Sequence, residues 1–149
     1  MMAYGDLYPK PAAANLRKEA QAVTPQQVLA YCLSKKGAYI DHPFGPDSTI
    51  LKVGKTPSRP GRIFAQVFVL KGRDSLTLNC ERMAGEFYRR LYPGVIVRGY
   101  HCPPVQQPYF NTLPLDGAVP DELVREMIDH SYETVVGKLP KALQRELRG

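Results

Sequence analysis

The sequence predicts an α+β domain: a single antiparallel β-sheet packed with helices, in the order α-β-β-β-α-β-β-α. Three observations carry that expectation. A capped segment with helical apolar spacing opens the ordered chain at Thr24. Three short segments rich in β-branched and aromatic residues follow, separated by Gly, Pro and charged turns. A long amphipathic segment then closes the chain. The connections between the three strands are too short for a crossover helix, so the strands are antiparallel neighbours.

In "TPQQ", Thr24 stands at an N-cap, Pro25 at the first helical position and Gln27 where a capping box wants Glu or Gln. Val28, Leu29, Cys32 and Leu33 form one apolar face, and Gly37 is the expected stop. "TILKV", "RIFAQVFVL" and "DSLTLN" are the three strands. "CERMAGEFYRRLYPG" is a middle helix with Met83, Phe87 and Leu91 on one face, ended by Pro93 and Gly94. "VIVRGY" and "YFNTLPL" are two further strands around the loop "HCPPVQQP". The last helix runs from Pro120 to about Leu139, with Asp116 to Asp121 supplying turn and cap residues. Leu123, Met127, Ile128, Val135 and Leu139 make its buried stripe.

A chain of 149 residues fits one domain, expected over residues 23–149, with residues 1–22 as an N-terminal extension or loosely docked helix. Hydrophobic residues at 44% and charged residues at 23% match soluble globular chains. No apolar run approaches the roughly 20 residues of a membrane span, and the N-terminus lacks a signal-like apolar stretch. A cytoplasmic protein without a membrane partner is expected. Cys32, Cys80 and Cys102 are odd in number and widely spaced, which indicates neither a disulfide framework nor a zinc ribbon. They read as small buried or half-buried side chains.

Charge is distributed unevenly. Residues 51–100 hold ten Lys and Arg against three acids, whereas residues 101–137 hold one Arg against six acids. A basic tail begins at Lys138. Basic surfaces attract phosphate backbones through counterion release.

The ordered segments "YCLSKKGAYIDHPFGPDSTILKV", "LTLNCE", "YPGVIVRGYH", "FNTLPLDG" and "PDELVREMIDHSYETVVGKLP" resemble the successive signatures of the MmcQ/YjbR family of small bacterial proteins. The resemblance spans about Val23 to Pro140. It implies an antiparallel sheet packed with helices, similar to type III secretion chaperones and to double-wing DNA-binding proteins, with DNA binding as the suggested activity. Pro43, Phe44, Gly45, Gly99, Asp116 and Gly117 stand in its structural motif. At one place the chain departs from the family: "GYHCPPVQQPYFNT" is longer and uncharged where many relatives carry Lys, His and Trp. The basic groups that might touch phosphate through that loop are missing.

"DHPFGPD" places His42 between Asp41 and Asp47. Two prolines and a glycine favour a sharp reversal from the first helix into the first strand, with Phe44 anchoring the corner in the core. A metal or catalytic role for His42 needs further ligands that the sequence does not supply. His101, at a strand end beside the variable loop, reads as a packing residue or as part of a ligand mouth with Tyr100 and Asn111. His130 follows Glu126 by one helical turn, a spacing that suits a solvated ion pair or, with a third group, a metal. Glu122, Glu126, Asp129 and Glu133 form an acidic stripe, either a solvated face or a dock for a basic partner.

The basic candidate site is "LKVGKTPSRPGRIF". Lys52, Lys55, Arg59 and Arg62 surround a Gly- and Pro-rich connection with the composition of a wing. Lys71 and Arg73 sit at the following turn, at the opposite end of the sheet if neighbouring strands alternate direction. Wing contacts position a protein on DNA without reading bases. No G-x-S-x-G, phosphate-binding G-x-x-x-x-G-K-S/T or helix-opening G-x-G-x-x-G is present, so no enzyme, cofactor or metal is expected. Two function classes remain: a sequence-independent DNA-binding module, or a protein-interaction or chaperone-like module that uses a sheet face or the acidic helix.

Overall fold

The computed structural model describes residues 22–99 and 102–149. The extension expected over residues 1–22 lies outside the described residues except for Ala22, and so do Tyr100 and His101.

The elements are α1 (Pro25–Leu33), β1 (Tyr39–Asp41), β2 (Ser48–Val53), β3 (Arg62–Leu70), β4 (Arg73–Asn79), α2 (Arg82–Leu91), β5 (Val97–Arg98), β6 (Phe110–Pro114), α3 (Asp121–Val136) and α4 (Lys141–Arg148). A short 3-10 turn, Gln107–Tyr109, leads into β6. The strands form one six-stranded antiparallel sheet in the order β1-β2-β3-β4-β6-β5. This is the expected class, with two elements beyond the expected order: the edge strand β1 and the terminal helix α4.

Local chemistry explains the element ends. The capping box at α1 is complete: the Gln27 amide donates to Thr24 Oγ1 at 3.1 Å, and the Thr24 amide donates to Gln27 Oε1 at 3.0 Å. Glu81 caps α2 by accepting from the backbone of Met83 at 3.2 Å and Ala84 at 3.0 Å. Those two bonds hold its carboxyl below the usual range. Lys71 and Gly72 turn β3 into β4 with φ of 51° and 78°, the signature of a two-residue hairpin.

Strand alternation divides the sheet into two faces. Leu76, Leu78, Leu113, Leu51, Ala65 and Val67 point toward the helices and join Val28 and Cys32 of α1 and Val124, Met127, Ile128, Val135 and Val136 of α3 in one core. The pairing register shifts between Leu51 and Lys52, so that consecutive Phe64 and Ala65 are both fully buried. Phe64 meets the Tyr132 ring edge-on at 5.4 Å.

Two expectations are corrected, and the packing side of the middle helix becomes visible. The reversal at "DHPFGPD" joins β1 to β2 rather than helix to strand, and Phe44 is 67% exposed instead of buried. Gly45, at φ +98°, donates its amide to the His42 carbonyl at 3.3 Å, which closes the turn with Phe44 pointing outward. On α2, Met83, Phe87 and Leu91 face solvent, at 75%, 57% and 37% exposure. That helix packs through Gly85 and Tyr88 instead: a Cβ on Gly85 would stand 2.4 Å from Cys80 Sγ, so the close approach of α2 needs glycine there. The last expected helix ends at Val136, and Leu139 is buried in the link to α4.

Burial pushes the Cys32 thiol up to about 12 and the Cys80 thiol up to about 11; it also raises the Cys102 thiol, but Cys102 is half-exposed and open to reagent. Titration of the native chain with a chromogenic disulfide at pH ~8 should therefore modify Cys102 rapidly, and Cys32 and Cys80 only on unfolding. Rapid reaction of all three thiols would contradict this packing.

Candidate nucleic-acid interface

The connection between β2 and β3 is a largely exposed hairpin. Thr56 and Arg59 pair through their backbones at 2.9 and 3.2 Å, closing a tip of Pro57 and Ser58. The Gly61 amide donates to the Tyr39 hydroxyl at 3.0 Å, which ties the hairpin exit to edge strand β1.

The six predicted basic residues divide into two groups. Lys52 is turned in to Asp41, with Nζ 2.7 Å from Oδ2, and the side chain is mostly buried. The lysine bond, with a second bond from the His42 amide, holds the Asp41 carboxyl below the usual range. Arg73 is paired with Asp116 at 3.2 Å. Lys55, Arg59, Arg62 and Lys71 are exposed and have no acidic partner among the described residues. Lys55 lies 5.6 Å over the Tyr39 ring. Lys71 turns at the far end of β3, as antiparallel topology requires, and so stands apart from Lys55, Arg59 and Arg62.

Helix α4 extends this end of the molecule. Thr56, Ser58 and Arg59 of the hairpin share a shallow hollow with Pro140, Ala142, Leu143 and Glu146. The neighbouring Lys141 and Arg145 are exposed. The basic tail beginning at Lys138 was visible in the sequence, but its helical form and its place beside the hairpin were not. "KALQRELR" carries only two large apolar side chains, Leu143 and Leu147, which pack on the core only in part.

The other candidate residues have structural partners. Asn111 is 1% exposed and is engaged within the fold: its Oδ1 accepts from Arg89 at 2.7 Å, and its Nδ2 donates to the Gly85 carbonyl at 3.3 Å, joining β6 to α2. His42 Nδ1 lies 3.2 Å from the Ser48 carbonyl, within the β1–β2 turn. His130 does not pair with Glu126; its Nε2 accepts from the Glu81 amide at 3.0 Å, at the start of α2. Among the described residues, no group of three His, Cys, Asp or Glu could hold a metal ion. In the acidic stripe, Asp129 pairs with Lys35 and accepts from the Tyr31 hydroxyl at 2.6 Å, and Glu133 pairs with Arg148 at 3.2 Å. Half of the stripe is therefore neutralised internally, and Glu122 and Glu126 remain exposed.

The motif positions serve the backbone. Pro43 is exposed in the β1–β2 turn. A Cβ on Gly99 would stand 2.6 Å from Phe110 Cβ. Asp116 accepts from the Ala118 amide at 3.0 Å and Gly117 has φ +87°, which together shape the turn after β6. No helix of the described residues is long and apolar enough to cross a membrane.

Comparison with known proteins gives a consistent result. Residues 33–134 match the YjbR family model. The uncharacterized protein YjbR of Escherichia coli (strain K12) is 25% identical over 125 residues, covering 84% of this chain and 98% of that protein. A crystal structure from Deinococcus radiodurans, described as a DUF419 domain, superposes with a TM-score of 0.74 at 29% identity, covering 85% of this chain and 89% of that one. A Pseudomonas syringae protein shares the fold, with a TM-score of 0.59 at 18% identity over 75% of this chain and 98% of that one. With the family model matching well over half of its length, the chain belongs to the YjbR family.

Proposed function

We propose that the protein is a non-enzymatic nucleic-acid-binding module that contacts DNA phosphates through the β2–β3 hairpin. One observation carries this reading: Lys55 and Arg59 of the hairpin and Arg62 at the start of β3 are exposed with no acidic partner among the described residues, while Lys52 and Arg73 have theirs. A cation whose charge is not already paired releases counterions when it meets a phosphate. Lys141 and Arg145 on α4 are also exposed, whereas the charged α4 residue that shares the hollow with Arg59 is Glu146. Phosphate contacts of this kind position the protein on the duplex without reading sequence.

The test is fluorescence anisotropy with a labelled random-sequence DNA duplex, at low and at physiological salt. The wild type should bind at low salt and lose affinity steeply as salt rises. The variant Lys55→Ala/Arg59→Ala/Arg62→Ala should bind at least about tenfold more weakly, with the log–log salt slope smaller by about three. Its thermal melt should be unchanged, because all three side chains are exposed. No binding at low salt sinks the reading.

A protein-interaction module is the second reading, and the outward stripe of Met83 and Phe87 on α2 favours it. The acidic helix supports it less, because Asp129 and Glu133 already hold cations of this chain.

A further inference from the structure

The sheet face turned away from α1 and α3 carries a cavity of about 690 Å³. That size lies within the roughly 300–1,000 Å³ of small-molecule sites. Its floor is formed by Gln66, Thr77 and Asn79, which strand alternation turns away from the core. Phe110 and the segment Cys102–Pro103 line it, as do Phe44 and Arg62.

Three features define what such a site takes. Its apolar lining includes two aromatic rings, Phe44 and Phe110. Phe44 is 67% exposed, so a ring placed against it removes apolar surface that the fold itself leaves in water. Arg62 is the only charged side chain of the described lining and has no acidic partner among the described residues. Its planar guanidinium suits a two-point contact with an acid group. The floor is fixed in advance: Gln66 Nε2 donates to Ser48 Oγ at 2.9 Å, Asn79 Nδ2 donates to the Ile63 carbonyl at 2.8 Å, and the Thr77 and Thr112 hydroxyls bond at 2.7 Å. Both amides thereby have set orientations, which lowers the ordering cost of binding.

We propose that this cavity binds a small aromatic monoanion, with its ring system against Phe44 and Phe110 and its acid group on Arg62. The site is separate from the phosphate-contacting reading of the hairpin, with which it shares only Arg62.

The experiment uses two fluorescent probes on the full chain: anilinonaphthalene sulfonate, an aromatic monoanion, and phenylnaphthylamine, the same ring system without the acid. The wild type should bind one equivalent of the sulfonate saturably. Arg62→Gln should weaken the sulfonate by about fivefold and leave the neutral probe unchanged, the factor being modest because an exposed guanidinium is screened. Phe44→Ser should weaken both probes by about threefold, in keeping with partial loss of an aromatic contact. Lys55→Ala/Arg59→Ala should leave both probes unchanged while reducing DNA binding. All three variants alter exposed side chains, and an unchanged melting temperature confirms their fold. Non-saturable sulfonate binding, or full sulfonate affinity in Arg62→Gln or in Phe44→Ser, overturns the proposal. Neither result bears on DNA binding, which the duplex titration reads separately.

Discussion

Ser131→Ala should lower the unfolding free energy by about 3 kcal/mol, although it removes one oxygen atom. The Ser131 side chain is fully buried on α3, where its Oγ donates to the Phe64 carbonyl at 2.5 Å and accepts from the Asn79 amide at 2.9 Å. Phe64 sits at the irregularity of β3, and Asn79 is the last residue of β4. The hydroxyl therefore bonds two backbone groups at places where strand pairing is interrupted or ends. Alanine leaves a buried N–H and a buried C=O without partners, each costing about 1–3 kcal/mol. In urea unfolding the midpoint should fall by about 1–2 M at unchanged slope. Ser34→Ala is the control: that hydroxyl also bonds a carbonyl, of Tyr31 at 2.5 Å, but at an exposed helix end, where the loss should stay below about 0.5 kcal/mol. A Ser131→Ala loss no larger than that of the control would show that the two backbone groups find other partners.

The role of Ser131 also marks where sequence reading stops. "RIFAQVFVL" declares a strand through its β-branched and aromatic residues, yet nothing in it announces that Phe64 and Ala65 are both buried. That follows from the register shift opposite Leu51 and Lys52, a property of two strands together. Thr24, Pro25 and Gln27 were legible because a capping box is a local device. Edge strand β1 was not: "YID" is three residues long, and pairing with β2 defines it rather than any period of its own. The apolar spacing of Met83, Phe87 and Leu91 is helical, but spacing does not say which face packs. Glycine at position 85 and the Asn111 bonds to α2 draw the opposite side of that helix inward.

The candidate site was legible to a similar degree. Clustered Lys and Arg around "GKTPSRPG" mark an exposed basic hairpin, because Gly and Pro rule out a continuous strand there. What composition cannot show is which charges are already paired. Lys52 and Arg73 look like Lys55 and Arg59 in the sequence, and only the proximity of Asp41 and Asp116 separates them. The cavity beneath Phe44 was missed for a related reason: its lining comes from four separate stretches of chain that meet only on the folded sheet.

Gly54→Ala should be as damaging as the loss of the Ser131 hydroxyl, at about 3 kcal/mol. Gly54 is buried where β2 gives way to the hairpin, with φ +91°, a conformation that costs an alanine about 1–3 kcal/mol. Its Cβ would also stand 2.8 and 2.9 Å from the two terminal carbons of Leu139, itself only 5% exposed, so that side chain must shift within the core. The two contributions can be separated. Leu139→Ala alone should cost about 2–3 kcal/mol as a truncation in the core. In the double variant the clash is gone while the backbone strain remains, so the combined loss should fall short of the sum of the single losses by about 1 kcal/mol. Strict additivity would assign the whole effect to backbone conformation. A shortfall would show that Leu139, in the link between α3 and α4, holds the base of the hairpin in place. Under the phosphate-contact reading, the folded fraction of Gly54→Ala should then bind DNA more weakly with all three hairpin cations intact, because their direction from the sheet is set at this residue.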